Sequence, residues 1–211
     1  MQFIAQKFQE GGPAMYFITF VFAVAVAIIL ERLYYYYIKC RVNAKLLLTG
    51  ITKNIRGGKV SDARKLAASN KSPLAVILES ALWHFEQGLK NEEIQNAVDE
   101  TALREIPRIQ KRVHYLSLLG NIATLTGLLG TITGLIASFG SLAAADPSQK
   151  AELLARGISM AMNTTAYGLI AAIPCLIAFS ILGSKANSLI EEIDESSVRL
   201  LNFLFLQRTN Q

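Results

Sequence analysis

Three long stretches of this 211-residue chain contain no Asp, Glu, Lys, Arg or His. They run over residues 11–30, 115–145 and 157–184, which makes 20, 31 and 28 positions. A helix needs about 20 mostly apolar residues to cross a hydrocarbon layer of roughly 30 Å. Three such stretches in one short chain argue against a soluble protein and predict three membrane-spanning helices. Cysteine is scarce. Cys40 follows the first stretch and Cys175 lies inside the third, so free thiols are expected and a disulfide framework is not. Histidine is equally scarce. His84 and His114 have no paired nucleophile and no metal-ligand spacing, so neither an enzyme nor a cofactor or metal site is expected. His84, between Trp83 and Phe85, reads as a packing residue and His114 as an interfacial one. No small-x-small cleavage site follows the first stretch, which argues against a secretory signal peptide. Glu31-Arg32-Leu33 and the tyrosines 34–37 follow instead, and such aromatics suit a membrane–water boundary.

What charge there is lies unevenly. Residues 31–114 carry 15 of the 21 Lys+Arg, the leader one, the loop 140–156 two and the tail after Ser184 three. Basic residues gather on the cytoplasmic side. The expected topology is therefore a periplasmic leader (1–14), a first span (15–37), a cytoplasmic helical region (38–114) and a second span (115–139). A short periplasmic loop (140–156), a third span (157–183) and a cytoplasmic C-terminal helix (184–211) complete it. The N-terminus is outside and the C-terminus inside. Nine acids are interspersed with the 15 bases of 31–114 and no nucleic-acid motif is present, so a solvated helical surface near anionic lipid is the better account.

The region between the first two spans reads as helical. Ser61 is a candidate cap for a short helix, and Ser72-Pro73 pairs an N-cap with Pro at the first helical position. Leu74, Ile77, Leu78, Ala81, Leu82 and Phe85 have helical spacing, and Gly88 can end that helix with a left-handed residue. Asn91 is the candidate cap of the next, with Glu92 and Glu93 suiting its positive end. No strong stop follows before Gly140, so 91–140 reads as one helix, kinked at Pro107. The third span is expected to run on through 185–206, with Leu189, Ile193, Leu200 and Phe203 as its stripe.

The first span looks featureless and lipid-facing. The second does not. Gly120, Gly127 and Gly134 recur every seven residues, and Thr124, Thr131 and Ser138 repeat the same spacing in an adjacent row. Gly130 precedes Gly134 by four, a close-approach spacing. On the third span Ala161, Thr165, Gly168 and Ala172 share a face, with Asn163 and Thr164 nearby, and Pro174 frees the carbonyl of Ile170. These stripes serve either tight helix packing or a hydroxyl-lined pore. No span holds a carboxylate or His, and proton relays in membranes use such groups. A proton channel built on this chain therefore obliges a partner that supplies a membrane acid.

Gly127-Leu128-Leu129-Gly130-Thr131-Ile132-Thr133-Gly134 resembles the second-span signature of the MotA/TolQ/ExbB proton-channel family. Thr164-Thr165-Ala166-Tyr167-Gly168-Leu169-Ile170-Ala171-Ala172-Ile173-Pro174 resembles its third-span signature. Gly11-Gly12-Pro13-Ala14-Met15 and Glu31-Arg32-Leu33 match its ExbB/TolQ branch. The resemblance implies an all-α membrane protein that forms a homopentamer around a pair of single-span ExbD/TolR/MotB-like chains, each with one membrane Asp. It implies polar, pore-lining roles for Thr131 and Thr165, with Thr124, Asn163 and Thr164 beside them. Gly127, Gly130, Gly134 and Gly168 would serve packing, and Pro174 a bend. One position departs: many ExbB and TolQ chains carry Glu where this one has Met160. The implied function is an ion-channel stator subunit in the bacterial inner membrane, powering TonB/Tol-type energisation or gliding-type motility. Proton is the expected ion and sodium the other candidate. The rival reading is a non-conducting scaffold that assembles single-span partners.

Overall fold

The computed structural model describes residues 12–142 and 146–209. Of the expected leader, residues 1–11 lie outside the described residues, as do 143–145 of the expected loop and 210–211 of the tail. Seven α-helices and one π-helical turn account for the described elements, with no strand among them. They are α1 (Pro13–Tyr34), the π-turn (Tyr35–Lys39), α2 (Ala44–Arg56), α3 (Val60–Ala68), α4 (Pro73–Glu86), α5 (Asn91–Gln110), α6 (Val113–Leu142) and α7 (Lys150–Thr209). α1, α6 and α7 contain stretches long and apolar enough to cross a membrane, one for each charge-free run.

The chain divides into two compact units. The first holds residues 12–31 and Arg112–Ile181. Here α1 is not wholly lipid-facing. Met15, Ile18, Val21 and Ala25 form a buried stripe, while Tyr16, Phe17 and Phe20 are exposed. Ile18 and Val21 pack with Ala123 of α6 and with Ala171 and Ala172 of α7. The spacing of three and four explains the stripe: those positions share one helix face. Glu31 pairs with Arg112 at 3.1 Å.

The second unit holds Arg32–Lys111 and Leu182–Gln211. In it α2, α3, α4 and α5 each pack on the next. Leu47, Ile51, Ala63, Ile77, Leu78, Leu82, Ile94 and Val98 are buried among them, as are Ile193, Leu200 and Leu204 of α7. Local chemistry sets the ends. Asn43 accepts from the Leu46 amide at 3.1 Å, and Ser72 from the Ala75 amide at 3.3 Å ahead of Pro73, each satisfying an otherwise orphaned amide. Gly88, at φ 75°, follows α4 in the left-handed conformation expected of it. Two expected caps shift. α3 starts before Ser61, on Lys59, with no side-chain cap. Asn91 is the first residue of α5, and the Glu93 carboxylate accepts from the Lys90 amide at 2.8 Å. Arg208, near the end of α7, donates to the carbonyls of Gly88 and Leu89 and lies over the Phe85 ring.

The expected 91–140 helix is broken. α5 ends at Gln110, and Arg112 adopts φ 69°. Pro107 lies inside α5 without ending it, and its carbonyl accepts from the Lys111 amide at 2.9 Å. The reversal comes after that closing bond, at a residue that carries no Gly or Asn signal. Beside it in sequence order of contacts, the π-turn is tied down twice. Tyr36 donates to the Ile109 carbonyl at 2.7 Å and Arg32 to the Arg108 carbonyl at 3.1 Å. Arg32 also lies over the Tyr35 ring, 4.8 Å from its centre. Cys40, whose amide closes the π-turn on the Tyr35 carbonyl, is buried, and that burial pushes its thiol up to about 11. The thiol is therefore neutral and unreactive at ordinary pH.

Candidate functional site

The site is built by the two small-residue helices of the first unit. Leu116, Gly120, Ala123, Gly127, Gly130, Gly134 and Ser138 are the buried positions of α6's span, at intervals of three and four. Facing them on α7, Ala161, Thr164, Ala171, Ala172 and Cys175 are buried. Their backbones approach to the limit. A Cβ added to Gly127 would lie 3.3 Å from the Gly168 Cα, the Thr164 carbonyl oxygen and the Thr165 Cα. One added to Gly168 would meet the Ala123 carbonyl oxygen at 2.8 Å, and one on Gly130 would overlap the Thr164 methyl. The glycines are thus consumed by packing inside one chain, the role small residues have in membranes generally. Gly157 joins the same seam, where an added Cβ would overlap the Ser138 side chain. Ser138 stands in the seven-residue row of hydroxyls, but Gly157 belongs to none of the spacings read on the third span, so the pairing itself had no sequence signal.

The hydroxyls divide differently. Thr124 donates to the Gly120 carbonyl at 3.1 Å and Thr131 to the Leu128 carbonyl at 2.6 Å, each within α6. Both flank the glycine row and are half-buried. Thr164 is buried at the seam and donates to the Met160 carbonyl at 3.0 Å. Thr165 donates across the seam, to the Gly127 carbonyl at 3.0 Å. The structure therefore joins Thr164 and Thr165 to the glycine row, while Thr124 and Thr131 bond their own helix. Asn163 is half-buried and its amide nitrogen has no hydrogen-bond partner among the described residues. Such an orphan donor is costly away from water. Sequence reasoning assigned no role to Tyr167, whose hydroxyl lies 3.0 Å from that of Thr19 and links α1 to α7. Its signal was there in the Thr-Thr-Ala-Tyr-Gly run, but the partner lies on a helix read as featureless. Met160 brings its methyl to within 3.2 Å of where a Cβ on Gly12 would stand. An apolar contact occupies that neighbourhood. Pro174 is exposed and α7 passes through it unbroken.

Each hydroxyl has one proton to donate and two lone pairs to offer. Where the proton is committed to a carbonyl, the oxygen still accepts from water or from an acid O–H, or faces a cation. It cannot itself carry a proton at ordinary pH. No group of His, Cys, Asp and Glu suited to a metal ion exists among the described residues.

Three long apolar helices, two of them sealed along a glycine seam with hydroxyls at its edges, define a multi-pass membrane protein of the transport kind. The MotA/TolQ/ExbB proton channel family matches residues 69–195, and the chain belongs to that family. A similar protein is a biopolymer transport protein ExbB homolog of Methanothermobacter thermautotrophicus. The two are 24% identical over 193 residues, which covers 90% of this chain and 67% of the relative.

Proposed function

We propose that this chain is the ion-conducting stator subunit of an inner-membrane motor that turns an ion-motive force, first of all a proton-motive one, into work at the cell envelope. That work is TonB/Tol-type energisation or gliding-type motility. Five copies surround two single-span ExbD/TolR-like partners, each supplying one membrane Asp. The leader and the 140–156 loop face the periplasm, and the C-terminal tail faces the cytoplasm, as the distribution of Lys and Arg suggests. The chain moves ions and performs no covalent chemistry.

One observation carries this reading. The second and third charge-free runs contain hydroxyls and an orphan amide but no titratable carboxylate or imidazole. A conducting site of this composition is chemically incomplete, and an acid from another chain completes it. Thr131 and Thr165 accept from the protonated partner acid, or face a partly dehydrated cation, through the lone pairs their backbone bonds leave free. Thr124 and Asn163 extend the polar wall, while Thr164, expected from the sequence to line it, is buried in the seam against Gly130.

The test has two stages. The complex is co-expressed with its single-span partner, and its native mass is measured: five copies with two partner chains are expected. Thr131→Val and Thr165→Val are then combined. Losing the Thr165 bond costs roughly 0.6 kcal/mol by membrane averages, too little to disrupt assembly. Ion-driven function should fall by about tenfold or more, as expected for removing preorganised polar groups, with the mass unchanged. A fully active double variant removes the pore role. That result would favour the second reading, a non-conducting scaffold, which draws its support from the glycines being used up in packing.

A further inference from the structure

A cavity of about 280 Å³ in the second unit is lined by Tyr35, Lys39, Lys71, Pro73, Glu105 and Arg108. Three cations and one carboxylate meet there. Glu105 is already paired with Arg108. Neither Lys39 nor Lys71 has an ion-pair partner among the described residues. Two uncompensated ammonium groups on one concavity repel each other and attract an anion.

The backbone beneath them is fixed. Lys39 ends the π-turn, which Tyr36 and Arg32 tie to the carbonyls of Ile109 and Arg108. Lys71 immediately precedes Ser72, whose hydroxyl caps α4 and whose amide donates to the Asn70 side chain at 2.8 Å. The cavity also has a definite depth. Tyr34 to Tyr37 follow the first charge-free run within a few residues, and tyrosines so placed sit at the level of lipid headgroups. Leu33 and Tyr34, which end α1 just before the π-turn, are exposed and offer apolar surface. A volume at the small end for ligand pockets suits a headgroup and not a whole lipid.

We propose that this cavity binds the phosphate headgroup of an anionic phospholipid from the adjoining leaflet, with Lys39 and Lys71 as its principal contacts. The acyl chains stay in the bilayer along the exposed end of α1. Soluble phosphate shares the chemistry, but it would gain nothing from the tyrosine belt.

The full-length complex is purified into micelles holding equal phosphatidylglycerol and phosphatidylcholine, and retained lipid is counted by native mass spectrometry. Phosphatidylglycerol should be retained in preference. Lys39→Gln combined with Lys71→Gln should weaken that retention roughly 30-fold, the worth of two basic groups at a membrane surface. Lys45→Gln with Lys53→Gln, the same charge change on α2, should leave it intact. Equal loss in both pairs, or no preference in the unaltered protein, overturns the site. Inorganic phosphate that binds the lipid-free complex at this cavity, with phosphatidylglycerol unable to displace it, overturns the lipid as its source.

Discussion

At the scale of single residues, the seam between α6 and α7 turns on a few hydrogen atoms. Gly130 faces Thr164 so closely that a methyl group has no room, whereas a Cβ at Gly140, on the same helix, would meet nothing within 4 Å. Gly130→Ala should therefore destabilise the chain by about 1–3 kcal/mol, the usual cost of overpacking. Gly140→Ala should be neutral or stabilising by up to about 1 kcal/mol. Thermal unfolding of the two variants in one detergent separates the cases, and equal melting temperatures would mean that the seam is looser than its geometry indicates. Glycine spacing was legible in the sequence, since positions seven apart share a helix face. Its partner was less so. The third span offered Thr165 and Ala172 on one face, and the structure buries Thr164 and Ala171 beside them. A shift of one residue on a helix moves a side chain about 100°, and apolar residues on every side of a membrane helix give no polarity contrast to fix that angle.

At the scale of elements, absence of charge located all three spans, because a bilayer tolerates little else. The helices of the second unit were legible where the residue type itself signals an end, as the Ser72 hydroxyl and the positive-φ Gly88 do. They were less so where the backbone alone decides. α3 begins without a side-chain cap, and α5 ends at a left-handed arginine. An L-residue other than Gly costs roughly 1–2 kcal/mol in that conformation. Arg112→Gly should recover about 1 kcal/mol of it, less whatever the half-exposed pair with Glu31 contributes, which is small for such pairs. A raised melting temperature with unchanged helix content in circular dichroism is the expected outcome. A rise in helix content would instead mean that α5 and α6 fuse when the arginine is removed. The charge pattern predicts a loop over 140–156, yet α7 starts at Lys150, because Lys150 to Arg156 are good helix formers that a charge count alone assigns to a connection.

At the scale of the whole molecule, family membership and the apolar helices agree on a multi-pass membrane protein of the proton-channel family. The stripes that looked like a single feature separate into two. Glycines hold the chain to itself, and hydroxyls at the edges of the seam have lone pairs to spare. That separation has an electrical consequence. Where the Gly127 and Gly168 backbones touch, no file of water fits, so a lone copy is an insulator between its own helices. In the proposed complex, conduction therefore belongs to the assembly. Vesicles carrying this chain without its partner should hold an imposed pH gradient as long as protein-free vesicles do, by a pH-sensitive dye, while vesicles with the partnered complex should discharge it. On the proposed function, a cell could then make this chain in excess without short-circuiting its own energised membrane.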